Sequence, residues 1–414
     1  MNNYDVIIVG GGPAGSTAAF YLGQKGIKTL IIDRARFPRD KVCGGGISRR
    51  ILSRFPYLEK KIDSIPINWV SRVYIESPAG LSVEYNASNP LYLMIKRDEF
   101  DFLLYGLAKE RVDVLENSLV TDIKVTSQFA RVVLKDGSDF HCKIVIGADG
   151  VNSIVARNSG LNKTIDDDKY AIVMREEAPM TNLSATRNEK DTMYVYYGIQ
   201  GHYGYGYVFP KLSFLNVGIG FRLDYFKNKL GKDIYKRYSA FLEKLKNDNH
   251  VKGISSKDYI ASYTLPVGGP LKKTFTDRVL LCGDAGGFVN AFTAEGIYFA
   301  MITGEYAAKT AEEAVKCNDF SRKKLGIYEA LWKEEIGLEL EQSVKIQKTI
   351  LSDPSRIDKI IKAAKRDPKI ADILARYSTG SIGYHELRSK AILRLLPLYI
   401  KSKIGKIFYG WGKR

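Results

Sequence analysis

"YDVIIVGGGPAGSTAAFYLGQKGIKTLIID", residues Tyr4 to Asp33, decides the fold. Val6 to Val9 form a short apolar run, as in a strand buried on both faces. Gly10, Gly12 and Gly15 follow in G-x-G-x-x-G spacing, then an alanine-rich helical stretch and a second apolar run ending at Asp33. Each position has a physical reason. Gly10 permits the tight turn, and Gly12 lets backbone come close to a pyrophosphate. Gly15 lets the helix pack on the strand, whose carboxyl end then meets a positive helix N-terminus. Asp33, about 20 residues beyond the glycines, is placed to accept ribose hydroxyls. The stretch predicts a βαβ unit that binds a dinucleotide.

The bulk properties narrow the class. The chain has 414 residues, 45% hydrophobic and 26% charged, enough for two or three domains of a globular protein. Its cysteines, Cys43, Cys142, Cys282 and Cys317, are far apart and include no CxxC pair, so no metal site is expected. A reduced, cytoplasmic setting follows. No signal peptide or transmembrane run is expected. The net charge of +17 is spread along the chain without a nucleic-acid-binding module. One segment stands apart: Leu387 to Arg414 mixes basic and apolar residues with no acid, the composition either of a peripheral element on an anionic membrane or of a basic C-terminal helix packed on its own domain.

Three later stretches separate one dinucleotide from another. "KRDEFDFLLYGLAKE" places Arg97 ahead of an amphipathic helix. "CKIVIGADGVNSIVAR" is a strand ending at Gly147-Ala148-Asp149-Gly150. "RVLLCGDAGGFVNAFTAEGIYFAM" is a strand ending at Gly283-Asp284, then a turn of small residues and a second helix start. Two further acids beside glycines and a second helix N-terminus suit a long dinucleotide lying across the sheet. "DTMYVYYGI", "GYGYVFPK" and "SFLNVGIGFRL" are short aromatic runs bounded by glycine, expected as antiparallel strands. "SRVYIESPAGLSVEYN" reads as a hairpin of the same sheet.

The set GGGPAGS, RDEFD, GADGVNS and GDAGGFVNAFTAEGI resembles the FAD-binding frame of the aromatic-hydroxylase-like flavoproteins. Within that group, GHYGYGYVFPK and GDAGGFVNAFTAEGIYFAM resemble the geranylgeranyl reductase family, archaeal and plant or bacterial. The resemblance implies FAD held by Gly10, Gly12, Ala14 and Gly15 at the pyrophosphate, Asp33 at the ribose, and Arg97 and Asp284 near the pyrophosphate and ribityl. Gly296 and Ile297 would offer backbone amides to the flavin ring, where a helix start stabilises the reduced anion. Asp149 and Gly150 are expected to be structural. The family's P-x-x-Y-x-W-x-F-P motif falls on His202, Tyr205, Tyr207, Phe209 and Pro210, with His202 for the leading proline and Tyr207 for the tryptophan.

"KVCGGGIS", Lys41 to Ser48, follows Asp33 by about ten residues. In the resembling family this loop lies against the flavin. Gly44 and Gly46 would bring backbone to the ring, and Cys43 would face the substrate double bond. Cys43 and Tyr207 are the candidate catalytic residues. His202, Tyr205 and Tyr207 are candidate substrate contacts.

The expected architecture is α/β. A Rossmann-like FAD domain takes residues 1–70, 97–160 and 272–320. An inserted antiparallel β-sheet substrate domain takes 71–96 and 161–271, and a helical, basic C-terminal region takes 321–414. The expected activity is reduction of isolated C=C bonds in a polyprenyl chain on a lipid or diphosphate, with hydride from flavin N5. The electron donor would be NADPH or a small ferredoxin-like protein. A flavin monooxygenase of the aromatic-hydroxylase type is the alternative.

Overall fold

The structure, a computed structural model, describes residues 3–390 except 165, 187–190, 200, 232, 351 and 352, and except the side chain of residue 354. The opening stretch forms β1 (Asn3–Val9), α1 (Pro13–Gln24) and β2 (Thr29–Ile32). They belong to an eight-stranded sheet whose centre is parallel. Register explains what this sheet presents. Val9 lies level with Ile32 and Gly147, Ile32 with Leu115, and Gly147 with Leu281. Gly10, Asp33, Ala148 and Cys282 therefore all begin loops at one carboxyl edge, where ligands of open α/β sheets bind.

Helices cover the sheet through unusually close contacts. A Cβ at Gly15 would lie 1.9 Å from the Gly10 carbonyl oxygen, so α1 seats on the turn only with glycine there. The long helix Ile297–Cys317 crosses α1 at Gly304, where a Cβ would lie 2.2 Å from the Ala14 carbonyl oxygen. Both helices start at the same edge of the sheet.

The second sheet has seven strands, in the order 260–266, 170–179, 214–222, 202–210, 192–199, 72–76 and 82–86. It is antiparallel apart from one pair, Thr192–Ile199 with Arg72–Glu76, which is parallel. A parallel pair needs a long crossover, and here that crossover contains four of the eight strands of the first sheet. Two aromatic faces result. Tyr194 and Tyr196 pack with Tyr238 and Phe241 of the helix Ile234–Asn247 on one side, while Tyr197, Tyr207 and Phe209 lie on the other.

Tyr92–Met94 does not join this sheet. It pairs with Gly46–Ser48 and Asn68–Val70 in a small three-stranded sheet at the junction. The described residues after 320 are mostly helical, through Ser378 and again over residues 384–390. Of the basic segment Leu387–Arg414, residues 391–414 lie outside the described residues. Among the described residues, no helix is long and apolar enough to cross a membrane.

Candidate active site

One cavity of about 700 Å³ lies between the carboxyl edge of the first sheet and the second sheet. Gly10, Gly12, Ala14, Asp33, Cys43, Gly44, Gly46, Arg97, Asp284, Gly296, Ile297, Tyr205 and Tyr207 all line it. Gly15 and His202 do not. Gly15 is taken up by the α1 contact described above. His202 points away for reasons of parity: along a strand, alternate residues face opposite sides, and Tyr205, Tyr207 and Phe209 hold the cavity side. His202 instead bonds Tyr225 Oη (3.2 Å) and Arg237 (3.2 Å).

The glycine turn is held from within. Gly10 has φ +101°, a conformation that favours glycine, and a Cβ there would sit 2.3 Å from the Ala148 carbonyl oxygen. The Asp33 carboxylate accepts Gly11 N–H at 2.6 Å and Ala35 N–H at 2.8 Å. The N-caps Gly12 and Gly296 supply no side-chain cap, and neither helix carries an acid in its first turn. Two sets of unspent N–H donors thus face one cavity, an environment made for anionic groups. Asp149 instead spends its carboxylate on Ser153 Oγ and the amides of Ile154 and Val155, which fixes a short helix and not a ligand.

Arg97 is the first residue of its helix, Arg97–Lys109, rather than a residue ahead of it. It makes two 2.8 Å bonds to the buried Asp101, which also takes Arg39 at 2.9 Å. Asp101 therefore holds two guanidinium groups at the cavity. Lys41 lies over the Tyr263 ring, 3.2 Å from its centroid, and burial lowers its pKa to about 8 against the pull of Asp284. Arg39, Lys41 and Asp101 were not singled out by motif. Their signal was the basic run "RARFPRDK" just before the cysteine, and the acid four residues after Arg97.

The cysteine loop rests on aromatic rings. A Cβ at Gly44 would lie 3.0 Å from the Phe209 ring, and one at Gly46 would lie 2.3 Å from the Tyr92 ring. Gly45 has φ +72°. Packing and conformation thus favour glycine at Gly45 and Gly46, while a side chain at Gly44 would need the Phe209 ring to give by a few tenths of an ångström. Cys43 is half-buried, and its Sγ accepts Gly45 N–H at 3.4 Å. Tyr207 lies 4.4 Å from Phe209, centroid to centroid, and its buried hydroxyl has no partner among the described residues. Burial pushes its pKa well above the usual value, so the O–H stays protonated.

Glu295 precedes the long helix. It takes Arg50 at 2.7 Å, and Arg50 also takes Glu339 at 3.1 Å. Burial raises the Glu295 pKa to about 7, against Arg50 and with the help of Glu339. This network ties the C-terminal helices to the cavity wall.

Residues 3–308 match the FAD binding domain family. A digeranylgeranylglycerophospholipid reductase of Methanococcus vannielii is 30% identical over 368 residues, 84% of this chain and 87% of that protein. The chain belongs to the geranylgeranyl reductase family. A solved geranylgeranyl bacteriochlorophyll reductase-like protein of Thermoplasma acidophilum superposes with a TM-score of 0.79 at 25% identity, covering 94% of this chain and 99% of that one. A probable FAD-dependent monooxygenase of Pseudomonas aeruginosa gives 0.64 at 17% identity, covering 86% and 99%, a likeness of fold alone. As a geranylgeranyl reductase family member the protein is an FAD-dependent oxidoreductase. Its glycine turn, two uncapped helix starts and buried Asp33 fit FAD.

Proposed function

We propose that this protein saturates isolated C=C bonds of a polyprenyl chain carried on a lipid or diphosphate. The observation that carries the reading is the meeting, on one cavity, of the Cys43–Gly46 loop, the Tyr205–Tyr207–Phe209 face and the two helix starts. In this reading bound FAD, once reduced, supplies hydride from N5. Gly10, Gly12 and Ala14 would hold the pyrophosphate and Asp33 the ribose, while Gly15 serves by letting the helix seat on the turn. Arg97 and Asp284 would hold the middle of the cofactor, and Gly296 and Ile297 would offer amides to the ring. Tyr205, Tyr207 and Phe209 make an apolar bed that orients a chain with few polar anchors. Tyr207, kept protonated, acts as a hydrogen-bond donor. Cys43 is the proton donor or shapes the pocket around one. The same reading treats 1–70, 97–160 and 272–320 as the FAD domain, with 71–96 and 161–271 as the substrate domain.

The test is anaerobic incubation of the reduced holoenzyme with geranylgeranyl diphosphate and with a geranylgeranylated lipid, followed by product masses. Two hydrogens gained per saturated bond support the reading, and unchanged substrate in both cases rejects it. Cys43→Ala should keep FAD and lower the rate on the order of 10²-fold, the usual contribution of a placed proton donor. Wild-type rate and product distribution would reduce Cys43 to packing. The electrons come from NADPH or a small ferredoxin-like protein. Bleaching of the flavin by NADPH alone, without oxygen, decides between them.

A polyprenyl lipid is barely soluble, so we also propose that the protein works on an anionic membrane surface. Support comes from the eight Lys or Arg and no acid among Arg388–Arg414, each basic residue contributing about 1 kcal/mol near such a surface. Sedimentation with anionic liposomes should fall on deleting these residues and on raising salt. Equal sedimentation of the two forms would place the contact elsewhere.

A further inference from the structure

Behind the cysteine loop lies a polar cluster that the proposed chemistry does not use. Arg175 and Glu177 lie on the strand Tyr170–Pro179, Asn216 on Phe214–Arg222, and Lys211 between the strands His202–Pro210 and Phe214–Arg222. All four are buried: Arg175 is 5% exposed, Glu177 8%, Lys211 2% and Asn216 0%. Strand register sets them in rows. Tyr207, Gly218 and Arg175 lie in line across three strands, and Phe209, Asn216 and Glu177 form the next line. The aromatic bed therefore runs directly into charge.

The contacts converge on one loop. Arg175 Nη2 donates to both oxygens of Asp40, at 2.6 and 2.8 Å. Asn216 Nδ2 donates to the Cys43 carbonyl oxygen at 3.0 Å and to Glu177 Oε1, also at 3.0 Å. Lys211 Nζ pairs with the same Glu177 carboxylate. It also fills the space beside Gly45, where a Cβ would lie 2.7 Å from it. Asp40, Cys43 and Gly45 are thus each engaged from the second sheet. A buried carboxylate between two cations is retained only where its position matters or its partners are all present. Burial opposes the charge on Glu177, yet Lys211, Arg175 and Asn216 together hold its pKa below the ordinary value.

We propose that Arg175, Glu177, Lys211 and Asn216 form a clamp that fixes the loop Asp40–Gly46 and so aims the Cys43 thiol into the cavity. They are positioning residues that act through Cys43, and their catalytic importance rests on the proposed polyprenyl reduction. The clamp itself is testable without substrate. Removing Glu177 or Lys211 alone would strand a buried charge and threaten folding, so Asn216→Ala is the informative change. Arg175→Gln, whose partner Asp40 is largely exposed, reports from the other end if Asn216→Ala does not fold.

The readout is alkylation of Cys43 in the FAD-loaded protein by an uncharged thiol reagent, on a Cys317→Ser background. Cys142, buried in the first sheet, and Cys282, buried where the loop leaves its carboxyl edge, serve as internal controls. We expect Cys43 to react about tenfold faster with the controls unmodified. Where polyprenyl reduction is observed, kcat should fall with KM little changed. An unchanged Cys43 rate overturns the clamp, and so does a rise shared by Cys142 and Cys282, which would mean general loosening. Faster Cys43 alkylation in a protein that reduces no polyprenyl substrate would uphold the clamp while rejecting the proposed function.

Discussion

Gly304→Val is expected to yield a protein that purifies largely without FAD and melts well below wild type. The cause is the crossing of α1 and the long helix. A Cβ at Gly304 would lie 2.2 Å from the Ala14 carbonyl oxygen and 3.1 Å from its carbonyl carbon. Backbone atoms cannot rotate aside as a side chain can, so the helices must part. Overpacking of this kind costs about 3 kcal/mol. Separation also swings both helix starts, and with them Gly12, Gly296 and Ile297, out of their shared aim. Gly304→Ala should show a smaller loss in the same direction. FAD-to-protein ratio and thermal melting check the expectation. Stoichiometric FAD with an unchanged melting temperature in the valine variant would refute it.

Asp33→Ala is expected to weaken FAD binding on the order of 10²-fold, about 2.7 kcal/mol. In the folded chain Asp33 is 8% exposed and accepts the Gly11 and Ala35 amides. Its removal orphans two donors at about 1–3 kcal/mol each and takes away the acceptor proposed for the ribose. Asp33→Asn retains one acceptor oxygen and should fall between the two. Titration of the apoprotein by flavin fluorescence measures the change. A dissociation constant within threefold of wild type for Asp33→Ala would show that the loop holds itself and that the ribose is bound elsewhere.

The first βαβ unit was legible because its information is local: run length, glycine spacing and the closing acid all lie within Tyr4–Asp33. The meeting of GADG and GDA at one edge was legible for the same reason, since each is a strand followed at once by its loop. Pairing between distant segments was not. Nothing within "LYLMIK" says that Tyr92–Met94 joins Gly46–Ser48 in place of the nearer hairpin. Nor does "VYIE" announce a parallel partner more than a hundred residues away. Asn216 escaped notice because a polar residue alternating with apolar ones on a strand reads as a solvated face, Glu177 because the charged run Arg175–Glu177 reads as exposed, and Lys211 because a lysine in a turn does too. Only the register of three strands shows that these faces point inward. His202 is the opposite case: the parity of the strand was already written in Tyr205 and Tyr207, and it turns His202 to the far side.

The level edge formed by Val9, Ile32, Gly147 and Leu281 also bears on how the chain comes off the ribosome. Val279–Leu281 is the last of these four strands to be made, and it pairs with the Asp139–Gly147 strand. Until residue 281 has emerged, the stretch Val145–Gly147 presents an apolar, unpaired strand edge, the kind that recruits other chains. The intervening residues meanwhile assemble much of a different sheet, so the nascent protein must shelter a half-built cofactor platform through the greater part of its synthesis. A product terminated before Val279 keeps that edge open for good, and its fate is set by aggregation and proteolysis rather than by any activity of the portion already folded.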